Sequence, residues 1–196
     1  MSAALASPVD LSGLAPRRLA LLGNPNCGKT VLFNRLTGGQ QKVGNYAGVT
    51  VELKRGLLKT PAGKTVTVLD LPGTYSLNAG SQDEAVACAV VLGRSLQERA
   101  PHLTAVVLDA TRLRRGLRLV AALKRLNVPM VVLLNMMDRV RAQGRTFDVA
   151  MLSRTLGLPV VEATGINPQG THALRDRKST RLNSSHPSLS RMPSSA

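Results

Sequence analysis

Tryptophan is absent from this sequence, and two tyrosines and two phenylalanines are its only aromatic residues. So small a stock offers almost no platform for stacking bases, which argues against single-stranded nucleic acid as a ligand. Cysteine is nearly absent as well. Cys27 and Cys88 have no metal-ligand spacing and read as reduced thiols of structural or incidental character. Long apolar runs are missing. Residues 85–92 and 129–134 are the longest, far below the roughly 20 needed to span a bilayer. Arg17 and Arg18 are followed by only four apolar residues before a Gly-Asn-Pro turn, so there is no signal-peptide core, and the chain is expected to begin in the cytoplasm. Acidic residues are scarce too: 11 Asp and Glu stand against 26 Lys and Arg, a formal net charge of +15. That excess suits any polyanion, including an anionic membrane surface or nucleotide phosphates, and does not choose among them. With so few aromatics it reads as solvated faces, and no nucleic-acid partner is expected.

What is present fits one α/β domain. Residues 1–16 are small, polar and without periodicity, a flexible leader. From residue 17 onward, short apolar runs alternate with helical periods. The strands expected are 19–22, 49–59, 65–71, 104–109, 130–135 and 159–163, with helices at 28–36, 83–98, 113–126 and 148–156. Pro61-Ala62-Gly63 joins the second and third strands as an antiparallel hairpin. The remainder alternates strand and helix, which predicts a mostly parallel, doubly wound sheet with one antiparallel strand, its ligand at the carboxyl ends of the strands. Residues 176–196 are rich in Ser, Arg and Pro and read as a disordered tail. The run 176–186 also looks like one reading frame of a common DNA-sequencing adapter. The domain, 17–175, is therefore expected to be truncated before or within its last helix, leaving a tail without function.

Three motifs follow strands. Gly23-Asn24-Pro25-Asn26-Cys27-Gly28-Lys29-Thr30 matches G-x-x-x-x-G-K-[ST]. Its glycines let backbone N–H groups turn toward phosphates at a helix N-terminus, and the contact is expected to extend to Val31. Lys29 is placed to reach the β- and γ-phosphates and the Thr30 hydroxyl to bind Mg²⁺. Asp70-Leu71-Pro72-Gly73 supplies a carboxylate, Asp70, that is expected to hold Mg²⁺ through water, and a Gly73 amide for the γ-phosphate. Asn135-Met136-Met137-Asp138 places Asp138 to accept hydrogen bonds from the two donors on guanine's edge, which adenine lacks. Together the motifs select GTP and GDP over adenine nucleotides and predict a P-loop NTPase fold of the G-domain type.

These motifs, with Val-Gly-Asn-Tyr-Ala-Gly-Val-Thr-Val-Glu at 43–52 and Asp-Leu-Pro-Gly-Thr-Tyr-Ser-Leu at 70–77, resemble the cytosolic N-terminal G domain of the bacterial ferrous-iron transporter FeoB. The resemblance implies a slow, Mg²⁺-dependent GTPase that regulates ferrous-iron passage through a membrane transporter domain of the same full-length protein, on the cytoplasmic side of the inner membrane. A small cytosolic iron-transport protein is an implied partner. Thr50 is implied as the switch I threonine closing on Mg²⁺ and the γ-phosphate, and Asn26 as a candidate ligand for K⁺. The catalytic set is then Lys29, Asn26, Thr50 and Gly73.

Four positions depart from the usual pattern. Met136 stands where many GTPases have Lys, Thr74 where others place a water-orienting Gln, and Tyr46-Ala47 where the family has Trp or Phe before Pro. Glu162-Ala163-Thr164-Gly165 matches the base-contacting fifth loop poorly, although Ala163 and Thr164 fall at its place. His102, His172 and His186 are scattered and form no iron site with Cys or acidic residues. Asp83 and Glu84 read as acids at a helix start capped by Ser81, near the family's switch II support. The rival readings are a ribosome- or tRNA-directed GTPase and a nucleotide-binding fragment without turnover.

Overall fold

A computed structural model describes residues 17–46, 50–60, 63–77 and 80–163. The leader 1–16, the tail 176–196, the last helix expected around 171–175, and Thr164 lie outside them. In chain order the elements are β1 (Arg17–Gly23), α1 (Lys29–Thr37), β2 (Gln41–Tyr46), β3 (Val51–Lys59), β4 (Thr65–Asp70), α2 (Gln82–Val91), β5 (Leu103–Asp109), α3 (Leu113–Arg125), β6 (Met130–Asn135), α4 (Met137–Ala142), α5 (Val149–Leu156) and β7 (Val160–Glu162). The strands form one sheet in the order β2-β3-β4-β1-β5-β6-β7. β3 pairs antiparallel with both β2 and β4, and the remaining pairs are parallel. β3 is therefore the single strand that runs against the rest, as expected.

The central strands read as nearly continuous apolar runs because both faces of the sheet are covered. Along β1, Leu21 faces one layer while Ala20 and Leu22 face the other, the period-2 alternation of a strand. Leu32, Phe33 and Leu36 of α1 pack on Leu21, Val68, Val107 and Leu133. On the opposite face Val86, Val90, Leu119 and Leu123 of α2 and α3 pack on Leu22, Leu69, Val106 and Val132. β1 is thus the buried centre, and the loop that leaves it emerges between the two layers.

Three elements differ from the sequence expectation. Strand β2 is additional; it is an edge strand, mostly exposed, with no apolar alternation to announce it. Helix α4 is also additional. Helix α2 stops at Val91 rather than 98, because Gly93 takes a left-handed φ of 67° and Arg94 N–H closes back on the Ala89 carbonyl at 2.7 Å. In the segment beyond, the buried carboxylate of Glu98 accepts from Arg18 Nη1 of β1 at 3.1 Å and from Arg55 Nε of β3 at 2.7 Å. Among the described residues no helix is long and apolar enough to cross a membrane.

One tight seam lies between α1 and β3. A Cβ added to Gly56 would lie 2.4 Å from Thr37 Cγ2 and 3.0 Å from Phe33 Cζ. Gly56→Ala should therefore destabilise the chain by about 1–3 kcal/mol through overpacking. Urea unfolding checks this: the midpoint should fall with the slope unchanged.

Candidate functional site

The loop after β1 is shaped by positions that reject side chains. A Cβ on Gly23 would sit 2.5 Å from the Val107 carbonyl oxygen, and one on Gly28 would sit 2.3 Å from Asn135 Nδ2. Gly28 has φ 83° and Asn26 φ 63°, so the chain turns through two left-handed residues before entering α1. No side chain caps α1. Its first N–H groups therefore face the loop with the positive end of the helix dipole, an arrangement suited to an anion. Cys27 is buried beneath the loop and Asn24 is nearly so, its Oδ1 having no partner among the described residues, while Pro25 and Asn26 are exposed. Val31 lies exposed on α1.

At the end of β4 the buried carboxylate of Asp70 pairs with Lys29 Nζ, and its second oxygen accepts from Thr30 Oγ1 at 3.2 Å. These groups, with Leu71, Pro72, Glu52 and Lys54, line a cleft of about 160 Å³. Thr50 occupies an exposed turn directly before β3, which carries Glu52 and Lys54 to that cleft. Gly73 lies against the loop: a Cβ there would meet Pro25 at 3.0 Å, and the next residue, Thr74, donates its N–H to the Gly23 carbonyl at 3.0 Å. Asp70 and Thr30 offer the hard oxygen donors that Mg²⁺ takes when water and phosphate complete its shell. Among the described residues no group of three His, Cys, Asp or Glu could hold a metal unaided.

The third motif meets the first directly. Asn135 ends β6 and donates Nδ2–H to the Cys27 carbonyl at 2.9 Å. Met136 takes φ 61° and starts α4, whose first turn carries the exposed Asp138. Ala163, just after β7, is buried in the cluster that contains Cys27. Loops from β1, β4, β6 and β7 thus converge at the carboxyl edge of the sheet, as anticipated.

Sequence reasoning undervalued Glu84. Ser81 does cap α2, accepting from Glu84 N–H at 3.2 Å. The Glu84 carboxylate itself accepts from Tyr75 N–H at 3.0 Å, Gly80 N–H at 3.1 Å and the Thr74 hydroxyl at 3.2 Å. It fastens the loop after Asp70 to α2, and the Tyr75 N–H, first among these donors, holds its pKa below the ordinary carboxylate value. The position of Glu84 at a helix start, near the family's switch II support, was the hint the sequence held. Burial pushes the thiols of Cys27 and Cys88 above the usual cysteine value, so both stay protonated and inert at neutral pH.

A phosphate-receiving loop at the head of α1, closed from one side by the β4 loop and from the other by Asn135, makes the chain a nucleotide-binding domain of the P-loop G class. Residues 17–178 match the sequence model of the family described as ferrous iron transport protein B. The Fe(2+) transport protein A/Fe(2+) transporter FeoB fusion protein of Porphyromonas gingivalis is 44% identical over 81% of this chain and 18% of its own length. The G domain of the T. maritima FeoB iron transporter is 34% identical, with 83% of this chain and 96% of that one covered and a TM-score of 0.68. The cytosolic domain of the same transporter in its GMPPNP form is 34% identical, with 83% and 61% covered and a TM-score of 0.69. The chain belongs to the ferrous iron transport protein B family. It spans about a fifth of the length of the curated relatives it matches.

Glu84→Ala should release the 74–80 loop while leaving the sheet intact. Amide exchange at Tyr75 and Gly80 should quicken by about fivefold, the worth of one hydrogen bond. Because the folded pKa of Glu84 is lowered, its contribution is complete above the ordinary carboxylate value and is lost as pH falls through the lowered one. Relative to the intrinsic exchange rate at each pH, the two amides of the natural chain should lose the same protection on acidification, and those of the variant should show no such change.

Proposed function

We propose that the chain binds GTP with Mg²⁺, hydrolyses it slowly, and in the whole protein regulates the passage of ferrous iron, its cargo, through a membrane domain on the cytoplasmic side of the bacterial inner membrane. The observation that carries this is the bond from Asn135 Nδ2 to the Cys27 carbonyl, which fixes the base motif to the phosphate loop. Asp138 then specifies guanine, with Asn135 and Met136 beside it and Ala163 and Thr164 closing the base end. The GMPPNP form of the T. maritima relative supports guanine as the base.

At the phosphate end the residues have separate tasks. The Gly23–Thr30 backbone and Val31 receive the phosphates, and Lys29 exchanges its pairing with Asp70 for the β- and γ-oxygens. That exchange frees the Asp70 carboxylate to act with Thr30 and Thr50 as the Mg²⁺ set. Mg²⁺ held there would supply positive charge that stabilises the transferring phosphoryl group. Gly73 presents its N–H to the γ-phosphate. Thr74 does not orient the attacking water, since its hydroxyl donates to the Ser76 carbonyl at 2.6 Å and its side chain is fully buried. The missing charge is assigned to K⁺ held beside Asn26, which stands exposed on the loop. The P. gingivalis fusion supports a small iron-transport protein as partner.

Titration with fluorescent nucleotides should show GTP preferred to ATP by roughly 10⁴-fold, the discrimination of a site built on buried hydrogen bonds. Asp138→Asn should weaken GTP and favour xanthine nucleotides, whose edge complements an amide. Equal affinity of the natural chain for ATP and GTP would sink the guanine assignment. Hydrolysis should be faster in KCl than in NaCl at matched ionic strength, and Asn26→Ala should lose the difference. Indifference of both proteins to the cation would remove K⁺ from the mechanism.

A further inference from the structure

Helix α3 carries charge that the nucleotide site does not use. Gly116, Leu119, Val120 and Leu123 bury one face of it against the sheet. The opposite face shows Arg114, Arg118, Ala121 and Arg125, spaced four, three and four residues apart and all exposed. At 1.5 Å per residue they form a straight row about 16 Å long. Other cations on this helix are engaged: Arg115 stacks over Tyr75 at 5.4 Å, and Lys124 Nζ donates to the Leu156 carbonyl. Arg114, Arg118 and Arg125 have no carboxylate partner among the described residues.

Two features of the row work against the isolated helix. The first turn of α3 has no acidic residue and instead places Arg114 at the positive end of the helix dipole. Arg114 and Arg118 are also a like-charge pair four residues apart, mutually repelling on one face. An external sheet of negative charge would relieve both. We propose that this row is a docking surface for the anionic phospholipid headgroups of a bilayer. The row carries a small side chain, Ala121, between Arg118 and Arg125, and exposed Leu126 stands at the C-terminal cap of the helix as an apolar contact for the interface. RNA offers similar phosphates, but the row has no aromatic side chain on which a base could stack. The inference goes beyond the nucleotide reading and stands on a different part of the molecule.

The test is co-sedimentation of the full chain with vesicles of equal parts phosphatidylglycerol and phosphatidylcholine, with pure phosphatidylcholine vesicles alongside. Each arginine near an anionic surface is worth about fivefold in affinity, so Arg114→Gln, Arg118→Gln and Arg125→Gln together should weaken binding on the order of 100-fold. The control combines Arg35→Gln, Lys59→Gln and Arg154→Gln, exposed positions elsewhere that remove the same charge. It should retain most of the binding. Circular dichroism confirms that each variant folds, independently of whether it binds nucleotide. Equal loss in both triple variants would show that net charge alone acts, and unchanged binding in the α3 variant would show that the row is not the surface. In a parallel titration with a single-stranded RNA oligomer, loss of RNA binding by the α3 variant without loss of vesicle binding would give the row to a different polyanion; each of these three results overturns the proposal.

Discussion

The contact between Asn135 and the loop at Cys27 and Gly28 is the constraint on which the rest of the site depends. It joins residues 108 positions apart, with Nδ2 donating to the Cys27 carbonyl and standing where any Cβ on Gly28 would go. A phosphate loop made of backbone N–H groups has no shape of its own, because its left-handed residues are stable only while their surroundings hold them. Here they are held from beneath by buried Cys27 and from the side by an amide that also begins the base motif. One side chain thereby sets both the curvature of the loop and its distance from Asp138.

That geometry follows from the order of the strands. β1 lies between β4 and β5, with β6 one strand further, so the ends of β1, β4 and β6 come to one edge without long excursions. Parallel strands release their loops on the same side, and the seam where connections diverge to opposite faces leaves a crevice for a ligand. α1 covers one layer and α2 with α3 covers the other, which is why residues 23–30 emerge between layers rather than on top of one. The close approach of Gly56 to Thr37 keeps α1 low on β3 and brings Glu52 and Lys54 to the Lys29 cleft.

Much of this was legible because each motif abuts an apolar run that can only be a buried strand. Residues 104–109 and 130–135 show it best. The parts that were not legible depend on partners distant in the chain. Glu98 looks like the end of a helix in a stretch of good helix formers, and nothing local says that Arg18 and Arg55 will enclose it. β2 has no apolar alternation because its register is set by β3 rather than by burial, and Tyr46 is fixed through its hydroxyl to Ser95 at 2.7 Å. Glu84 was visible as a first-turn acid, yet its three donors lie in a loop with no periodicity to read.

Thr74 brings these strands of reasoning to the chemistry. A residue at that place can either orient water or hold its own loop, and here the second is chosen: the hydroxyl is tied to Ser76 and Glu84, and the side chain is sealed from solvent. The same bonds that join Thr74 and Tyr75 to α2 remove a water-positioning group from the proposed reaction. Phosphoryl transfer needs little covalent help and is sensitive above all to positive charge placed around the equatorial oxygens. With Lys29 as the one side-chain cation in the loop and Lys54 across the cleft, further charge can come from cations in solution or from backbone N–H groups. On the proposed reading, slow turnover is the expected character of this site rather than a defect in it. In the proposed function a bound state that persists suits a domain that answers to a larger protein, and the Glu84 contacts join the loop after Asp70 to α2.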